Sequence, residues 1–181
     1  MGKIFVGGIL KTIIFNDYNL DDNQMIDKVI RVKGLIINSN GNILLAHNNN
    51  TYQFPGGHLE DNEDMDDCII REIMEETGIF LEVKEEPFLC IKTYDNNYFN
   101  TGKKVLCYVY YYRFFTDKMP DLSKTHYDEL EIATDFNLYY IVFSDLRNFL
   151  KKAISNDMIN PAISREMIAA IDVYNEVYGG I

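Results

Sequence analysis

The sequence is short of positive charge, and this limits what the protein can bind. Seventeen Lys and Arg residues stand against 28 Asp and Glu residues in 181 positions, so the formal net charge is −11. An acidic surface repels phosphate backbones and anionic lipid headgroups. We therefore expect neither stable nucleic-acid binding nor membrane binding, and an anionic ligand would need cations to mediate its contact with the protein.

Cysteine is also scarce. The three cysteines, Cys68, Cys90 and Cys107, are odd in number, widely spaced and set among apolar neighbours. This pattern excludes a disulfide framework and a zinc site with paired CxxC spacing, and it is typical of buried thiols in a reducing compartment.

Long hydrophobic runs are absent as well. The longest apolar stretch, residues 4–15, is interrupted by Lys11 and is shorter than the ~20 residues that span a bilayer. One Lys precedes it and no small-residue cleavage site follows, so we expect no signal peptide. Together with the cysteine pattern, this predicts a cytoplasmic protein.

The remaining composition is that of a folded domain. Hydrophobic residues make up 47% of the chain, and no repeat or linker rich in Gly, Ser or Pro divides it. Wholesale disorder and fibrous classes are thereby excluded. We predict one domain over residues 1–181, with an N-terminal strand extension at residues 1–27 and a C-terminal helix within residues 156–181.

Hydrophobic periodicity predicts many strands and about three helices, hence an α+β protein or a layered α/β/α sandwich. The predicted strands are residues 4–15 with a bulge at Gly7 and Gly8, 29–38, 42–47, 80–83, 88–94, 104–115 and 138–143. The predicted helices are residues 61–77 ending at Gly78, one capped by Ser144 or Asp145, and 161–178 capped by Asn160.

The apolar strand at the start, with its edge uncovered, is either an extra sheet edge or the contact of a homodimer.

Three glutamates share one side of the first helix. At about 100° per residue, Glu72, Glu75 and Glu76 fall within an arc of about 100°, and Ile69 and Ile73 lie on the neighbouring arc. Like charges at this spacing destabilise a helix unless something neutralises them. Carboxylate oxygens suit Mg²⁺ or Mn²⁺, although the charges alone are more typical of a solvated helix face.

The register of the surrounding residues favours the metal. Residues 57–79 read Gly-x5-Glu-x7-Arg-Glu-aliphatic-x-Glu-Glu-x-Gly-aliphatic. This resembles the Nudix box of the Nudix (MutT-like) hydrolases, with every defining position filled, and a pattern of this length is highly specific. Residues 52–56 are similar to the strand that leads into the box in that family. The element order is compatible with the Nudix fold over about residues 28–155, and the resemblance implies an α+β protein of that type, an α/β/α sandwich with a mixed sheet and flanking helices.

The resemblance implies a catalytic and metal-binding role for Glu72, Glu75 and Glu76, with the carbonyl of Gly56 as a further ligand. It also implies that Glu72 orients or deprotonates the attacking water, but in other members that base sits on a distant loop, so both assignments stay open. A further carboxylate often completes the metal site in this family, and Glu129 and Glu131 are the candidates for it or for the base.

Four more box positions are expected to support the site. By resemblance, Glu63 and Arg71 form the pair that fixes the loop against the helix. Gly57 allows a tight turn with Gly56, and Gly78 ends the helix. Arg71 can also pair with Glu75, four residues further on.

The function implied is a Mg²⁺- or Mn²⁺-dependent pyrophosphohydrolase that cleaves the diphosphate linkage of a nucleoside diphosphate derivative, a nucleoside triphosphate or a nucleotide sugar, by attack of water at phosphorus. Two alternatives share the fold. One is a non-hydrolytic nucleotide-binding or ligand-sensing regulator, although such proteins generally have an eroded box or an added DNA-binding segment. The other is an isopentenyl-diphosphate isomerase, whose cysteine and acid arrangement we cannot place in this chain.

Overall fold

The computed structural model describes residues 10–127, 129–134, 136–156 and 159–180, apart from the side chains at positions 99, 130 and 131. The strands are β1 Lys11–Phe15, β2 Asp27–Ile37, β3 Asn42–Asn48, β4 Thr51–Gln53, β5 Leu89–Asp95, β6 Val105–Phe115 and β7 Asn137–Val142. The α-helices are α1 Met65–Thr77, the short α2 Glu129–Ala133, α3 Phe143–Ser155 and α4 Pro161–Tyr178. Within the described ranges, no helix is long and apolar enough to cross a membrane.

The strands form one mixed sheet. Its order is β1-β5-β6-β2-β3-β4, and β7 also pairs with β3. The β2–β6 pair is parallel and extends from Asp27 opposite Val105 to Ile37 opposite Phe115, so β2 is a long central strand. The β1–β5 pair is also parallel, whereas β5–β6, β2–β3, β3–β4 and β3–β7 are antiparallel.

Helices cover both faces of this sheet. Successive side chains of a strand point to opposite faces, and β2 accordingly contributes Leu35 and Ile37 to one core cluster and Val32 and Ile36 to the other. The first cluster includes buried residues of α3 and α4, and the second includes the apolar side of α1. The predicted α/β/α sandwich with a mixed sheet is confirmed.

The helix α1 begins later than the sequence predicts. The side chain of Asp64 accepts a hydrogen bond from the backbone N–H of Asp67 at 2.8 Å, so Asp64 is the N-cap. The predicted start at residue 61 is wrong because this stretch forms a turn, in which Asn62 has a φ of 64°. The end is as predicted: Gly78 has a φ of 69° and its N–H donates to the carbonyl of Met74.

Other predicted boundaries were also wrong. Residues 80–83 do not form a strand; Leu81 and Val83 pack beside α1, which produces the alternating pattern without pairing to the sheet. The N-cap of α3 is Val142, because β7 leads directly into the helix and places Ser144 and Asp145 in its first turn. The cap of α4 at Asn160 is confirmed.

The N-terminal strand is described only in part. β1 begins at Lys11, within the predicted span of residues 4–15. The predicted bulge at Gly7 and Gly8 lies outside the described residues.

The packing of α1 on the sheet gives a test of the fold. Ile73 is fully buried, and its Cδ1 atom would lie 2.9 Å from a Cβ built on Gly34 of β2. We expect Ile73→Ala to lower the free energy of unfolding by about 2–5 kcal/mol, because it leaves a cavity under α1. The matched control is Ile26→Ala, whose side chain is 69% exposed and which should change the free energy by less than about 0.5 kcal/mol. Urea denaturation measures both values, and similar losses in the two variants would contradict this packing.

Candidate active site

The segment before α1 is fixed to the central strand by backbone hydrogen bonds. The N–H of Gly34 donates to the carbonyl of Pro55 at 2.8 Å, and the N–H of Val32 donates to the carbonyl of Gly57 at 2.9 Å. Gly56, between them, has a φ of 130°, and a Cβ there would lie 2.2 Å from the carbonyl oxygen of Val32. Only glycine fits this approach, so the Gly56–Gly57 turn is held in one position.

Glu76 joins this turn to α1. Its carboxylate is buried, and Oε2 accepts a hydrogen bond from the backbone N–H of Gly56 at 2.9 Å. On the other side of the turn, the ammonium group of Lys33 in β2 donates to the carbonyl of Gly56 and, at 3.1 Å, to Oε1 of Gln53. Burial lowers the pKa of Lys33, and the negative charge of Glu76 opposes that shift.

Glu72 lies against the same turn, one helical turn before Glu76. A Cβ built on Gly57 would stand 2.4 Å from each of its carboxylate oxygens, so the carboxylate occupies the space that any other side chain at position 57 would need. Burial raises the pKa of Glu72, and the neighbouring Arg71 opposes this rise.

Arg71 connects three glutamates. Its guanidinium donates to both oxygens of Glu63, at 2.7 and 3.0 Å, and to one oxygen each of Glu72 and Glu75, at 2.9 and 3.1 Å. It also donates to the carbonyl of His58 at 3.2 Å. The hydrogen bonds from Arg71 lower the pKa of Glu63 to about 2. Both pairings that the sequence allows for Arg71, with Glu63 and with Glu75, are therefore present.

The structure brings most of the predicted site residues together. Gly56, Gly57, Glu72 and Glu76 meet at the turn, and Arg71 links Glu72 to Glu63 and Glu75. Gly78 lies at the far end of α1, where a Cβ would come within 2.1 Å of the carbonyl oxygen of Asp121.

The two acids proposed to complete the site lie on α2. Glu129 is exposed, and the side chain of Glu131 lies outside the described part of the chain. The segment that leads to α2 does touch α1, since the N–H of His126 donates to the carbonyl of Glu75 at 2.9 Å. The backbone thus brings α2 close to the helix that carries the three glutamates.

The family of the chain is given by its match to a family model. A model of the NUDIX domain matches residues 27–137, more than half of the 181-residue chain. The chain belongs to the NUDIX domain family. This membership makes it a hydrolase that acts on phosphorus-containing anhydrides.

Solved structures share the fold. The MutT protein from Methanosarcina mazei Go1 is 22% identical, with a TM-score of 0.54 over 82% of this chain and 96% of that one. A NUDIX hydrolase from Nitrosomonas europaea is 17% identical, with a TM-score of 0.56 over 82% and 89%. A UDP-X diphosphatase is 19% identical, with a TM-score of 0.53 over 84% and 63%. At these identities the likeness concerns the fold.

The Nudix box can be tested for its fit to a divalent ion. Among the described residues, no three Asp, Glu, His or Cys side chains converge as a preformed metal cluster. The donor chemistry nevertheless fits, because Glu72 and Glu76 present hard oxygen atoms at one glycine turn and Glu75 is linked to Glu72 through Arg71. Lys33 and Arg71 supply positive charge beside these acids, which reduces the repulsion between the carboxylates but competes with a metal ion for their oxygen atoms.

Sequence reasoning missed Lys33. It is buried in the middle of a strand of otherwise mostly apolar residues, two positions after Arg31. Two cations at alternate positions in such a strand are an unusual pattern, because charged side chains are seldom buried without partners. That pattern was the available signal that this face of β2 borders a polar site.

The contact between Gly57 and Glu72 predicts a loss of metal binding. We expect Gly57→Ala to weaken Mn²⁺ binding at least about tenfold, because the added methyl group must push the Glu72 carboxylate away from the turn. The control is Gly102→Ala, where a Cβ would meet no atom within 4 Å and the backbone strain from the φ of 75° arises away from the box. Calorimetric titration with Mn²⁺ measures both affinities; equal affinities in the two variants would show that Glu72 does not need this position.

The Arg71–Glu63 pair predicts a pH-dependent stability. We expect Glu63→Gln to lower the free energy of unfolding by about 1–3 kcal/mol at pH 7, because a charged hydrogen-bond partner of Arg71 is lost. The pKa of Glu63 falls from its ordinary 4.5 to about 2 in the folded protein. Its contribution is therefore complete above pH 4.5 and is lost as the pH falls towards about 2.

Denaturation at several pH values checks this prediction. The difference between the wild type and Glu63→Gln should shrink below pH 4.5. Glu60→Gln is the control, since its side chain is exposed. A constant difference from pH 7 to pH 3 would mean that the Glu63 charge does not carry the effect.

Proposed function

We propose that this Nudix hydrolase is a Mg²⁺- or Mn²⁺-dependent pyrophosphohydrolase that cleaves the diphosphate linkage of a nucleoside diphosphate derivative by attack of water at phosphorus. The proposal depends on the placement of Glu76 and Glu72 against the two adjacent glycines of one turn, Gly56 and Gly57. Family membership supports an anhydride of phosphorus as the bond that is cleaved.

We assign the ion to Glu72, Glu75 and Glu76. When bound, a divalent ion offsets charge on the phosphoryl oxygens and lowers the pKa of water. The chain itself fixes the donors: the Gly56 N–H holds Glu76, and Arg71 holds Glu72 and Glu75. The carbonyl of Gly56 is a further ligand only in an arrangement in which Lys33 releases it.

Glu72 is our candidate for the residue that orients or accepts the proton of the attacking water. Burial raises its pKa, and a carboxylate with a raised pKa is a stronger base at neutral pH. Glu129 and Glu131 remain the candidates for an additional ligand or an alternative base, because α2 is adjacent to α1 through the His126 contact.

The alternatives have less support. A regulator would need an eroded box, whereas every acid of this box is present and contacts its neighbours; α4 also carries a single basic residue, Arg165, between Pro161 and Tyr178. An isomerase would need a reactive thiol. All three cysteines are buried, and burial raises the pKa of each thiol, for Cys68 to about 12.

Assembly and location remain proposals. Among the described strands, β1 pairs only with β5, and Ile14 on β1 is 60% exposed. This edge supports a homodimer, because an uncovered strand offers unpaired backbone groups to a second chain. We place the protein in the cytoplasm on the grounds of its unpaired, buried cysteines.

Removal of one carboxylate tests the hydrolase. We expect Glu76→Gln to lower the Mg²⁺-dependent release of phosphate or nucleoside monophosphate from a nucleotide panel by about a hundredfold or more, because a fixed anionic ligand is lost. The matched control is Glu82→Gln, an exposed glutamate after α1, which should retain full activity. Circular dichroism verifies folding, and a folded Glu76→Gln protein with unchanged turnover would refute the assignment.

A further inference from the structure

A polar cavity separate from the Nudix box lies on the face of the sheet that carries α4. It has a volume of about 270 Å³ and is open to solvent on one side. Its polar lining comes from β2, β5, the loop after β5 and the start of α4: Arg31, Thr93, Asp95, Asn97, Asn160 and Glu166. A cavity of this size accommodates a small ring with several hydrogen-bonding groups.

A buried ion pair forms the floor of this cavity. Nη2 of Arg31 donates to Oε2 of Glu166 at 3.3 Å, and Oγ1 of Thr93 lies 3.5 Å from Oε1 of the same carboxylate. Glu166 is 8% exposed. Nε of Arg31 is buried and has no hydrogen-bond partner among the described residues. Although Nε itself is enclosed, the side chains of Arg31 and Glu166 keep 16% and 11% of their exposure, so a ligand in the cavity can reach the exposed atoms of the pair.

The cavity adjoins the Nudix box. Arg31 and Lys33 are two residues apart on β2, so their side chains share a face and their Cα atoms are about 7 Å apart; Lys33 contacts the carbonyl of Gly56. From the other side, the hydroxyl of Tyr98 lies 3.0 Å from Nε2 of His58, two residues after Gly56. The glycine turn and the cavity are therefore connected through β2 and through the contact between His58 and Tyr98, which lines the cavity.

Part of this cavity lies outside the family match. The matched region ends at residue 137, whereas Asn160 and Glu166 belong to the cap and body of α4. The carboxylate that pairs with Arg31 therefore lies beyond the residues that the family model matches.

We propose that the cavity binds the sugar hydroxyls of the group attached to the diphosphate. This rests on the proposed function and selects nucleotide sugars over nucleoside triphosphates. A hydroxyl both donates and accepts, and the cavity offers acceptors in Glu166 and Asp95 and donors in the Arg31 guanidinium and the Thr93 hydroxyl. A terminal phosphate would instead bring negative charge against two carboxylates that face one guanidinium, which disfavours it.

Binding without catalysis tests the proposal. Calorimetry with Ca²⁺ in place of Mg²⁺, under conditions in which no product is released, compares UDP-glucose with UTP and ADP-ribose with ATP, pairs that differ in a sugar or a phosphate beyond the diphosphate. We expect the wild type to bind each sugar compound about tenfold more tightly than its triphosphate. Glu166→Gln should weaken sugar binding about tenfold and leave triphosphate binding unchanged or tighter, because a repulsive charge is removed.

Two further variants separate recognition from folding. Thr93→Val keeps the shape and the Arg31–Glu166 pair but removes a hydroxyl, so it should weaken sugar binding about threefold without affecting the triphosphates. Glu176→Gln, on the surface of α4 where Glu176 pairs with Lys11, is the matched control and should bind like the wild type.

The outcomes distinguish this inference from the hydrolase proposal. Triphosphates that bind as tightly as the sugar compounds, or Glu166→Gln and Thr93→Val variants that keep the wild-type preference, would overturn the assignment of the cavity even in an active hydrolase. Conversely, the expected preference in a protein that releases no product with Mg²⁺ would support the cavity and refute the hydrolysis.

Discussion

The Gly56–Gly57 turn is the constraint on which the site depends. It is fixed to β2 by backbone hydrogen bonds and to α1 by the bond between the Gly56 N–H and Glu76. Neither glycine has room for a side chain, since a Cβ would meet the Val32 carbonyl at one position and the Glu72 carboxylate at the other. These contacts fix the sheet, the turn and α1 relative to one another. The backbone of the turn therefore determines where the carboxylates of Glu72 and Glu76 lie.

This arrangement concentrates negative charge that the rest of the chain does not compensate. The protein carries a net charge of −11, and the three glutamates of the box lie within one face of α1. Arg71 binds two of them and Lys33 lies behind the third, at the carbonyl of Gly56. These two cations reduce the repulsion between the carboxylates, so the three glutamates can lie close together. Their oxygen atoms are ligands of the kind that a divalent ion prefers.

The sequence was informative where the structure depends on local rules. The spacing of residues 57–79 identifies the box, and Gly78 marks the end of α1 because only a left-handed residue fits there. The predicted start of α1 is too early because Asp61 and Asn62 are as acceptable as N-caps as Asp64 is. Residues 80–83 alternate like a strand, and only the tertiary structure shows that they pack beside α1 instead of pairing.

The polar contacts of β2 depended on long-range packing and could not be predicted in this way. Arg31 and Glu166 are 135 positions apart in the sequence. Their contact depends on two long-range features: the pairing of β2 with β6, which determines the face to which Arg31 points, and the packing of α4 on that face. Periodicity shows that a strand has two faces, but it does not show which helix covers each of them.

The placement of these contacts separates chemistry from selectivity. The box that we assign to bond cleavage lies wholly inside the matched residues 27–137, while α4, which supplies Glu166, lies beyond them. Because Lys33 and Arg31 are neighbours on one face of β2, the two sites share a rigid strand although their walls come from different helices. On this assignment, a change in α4 alters which group beyond the diphosphate is accepted and leaves the geometry of the glutamates intact. The fold can thus keep one cleavage site while the helix on the other face of the sheet determines what that site receives.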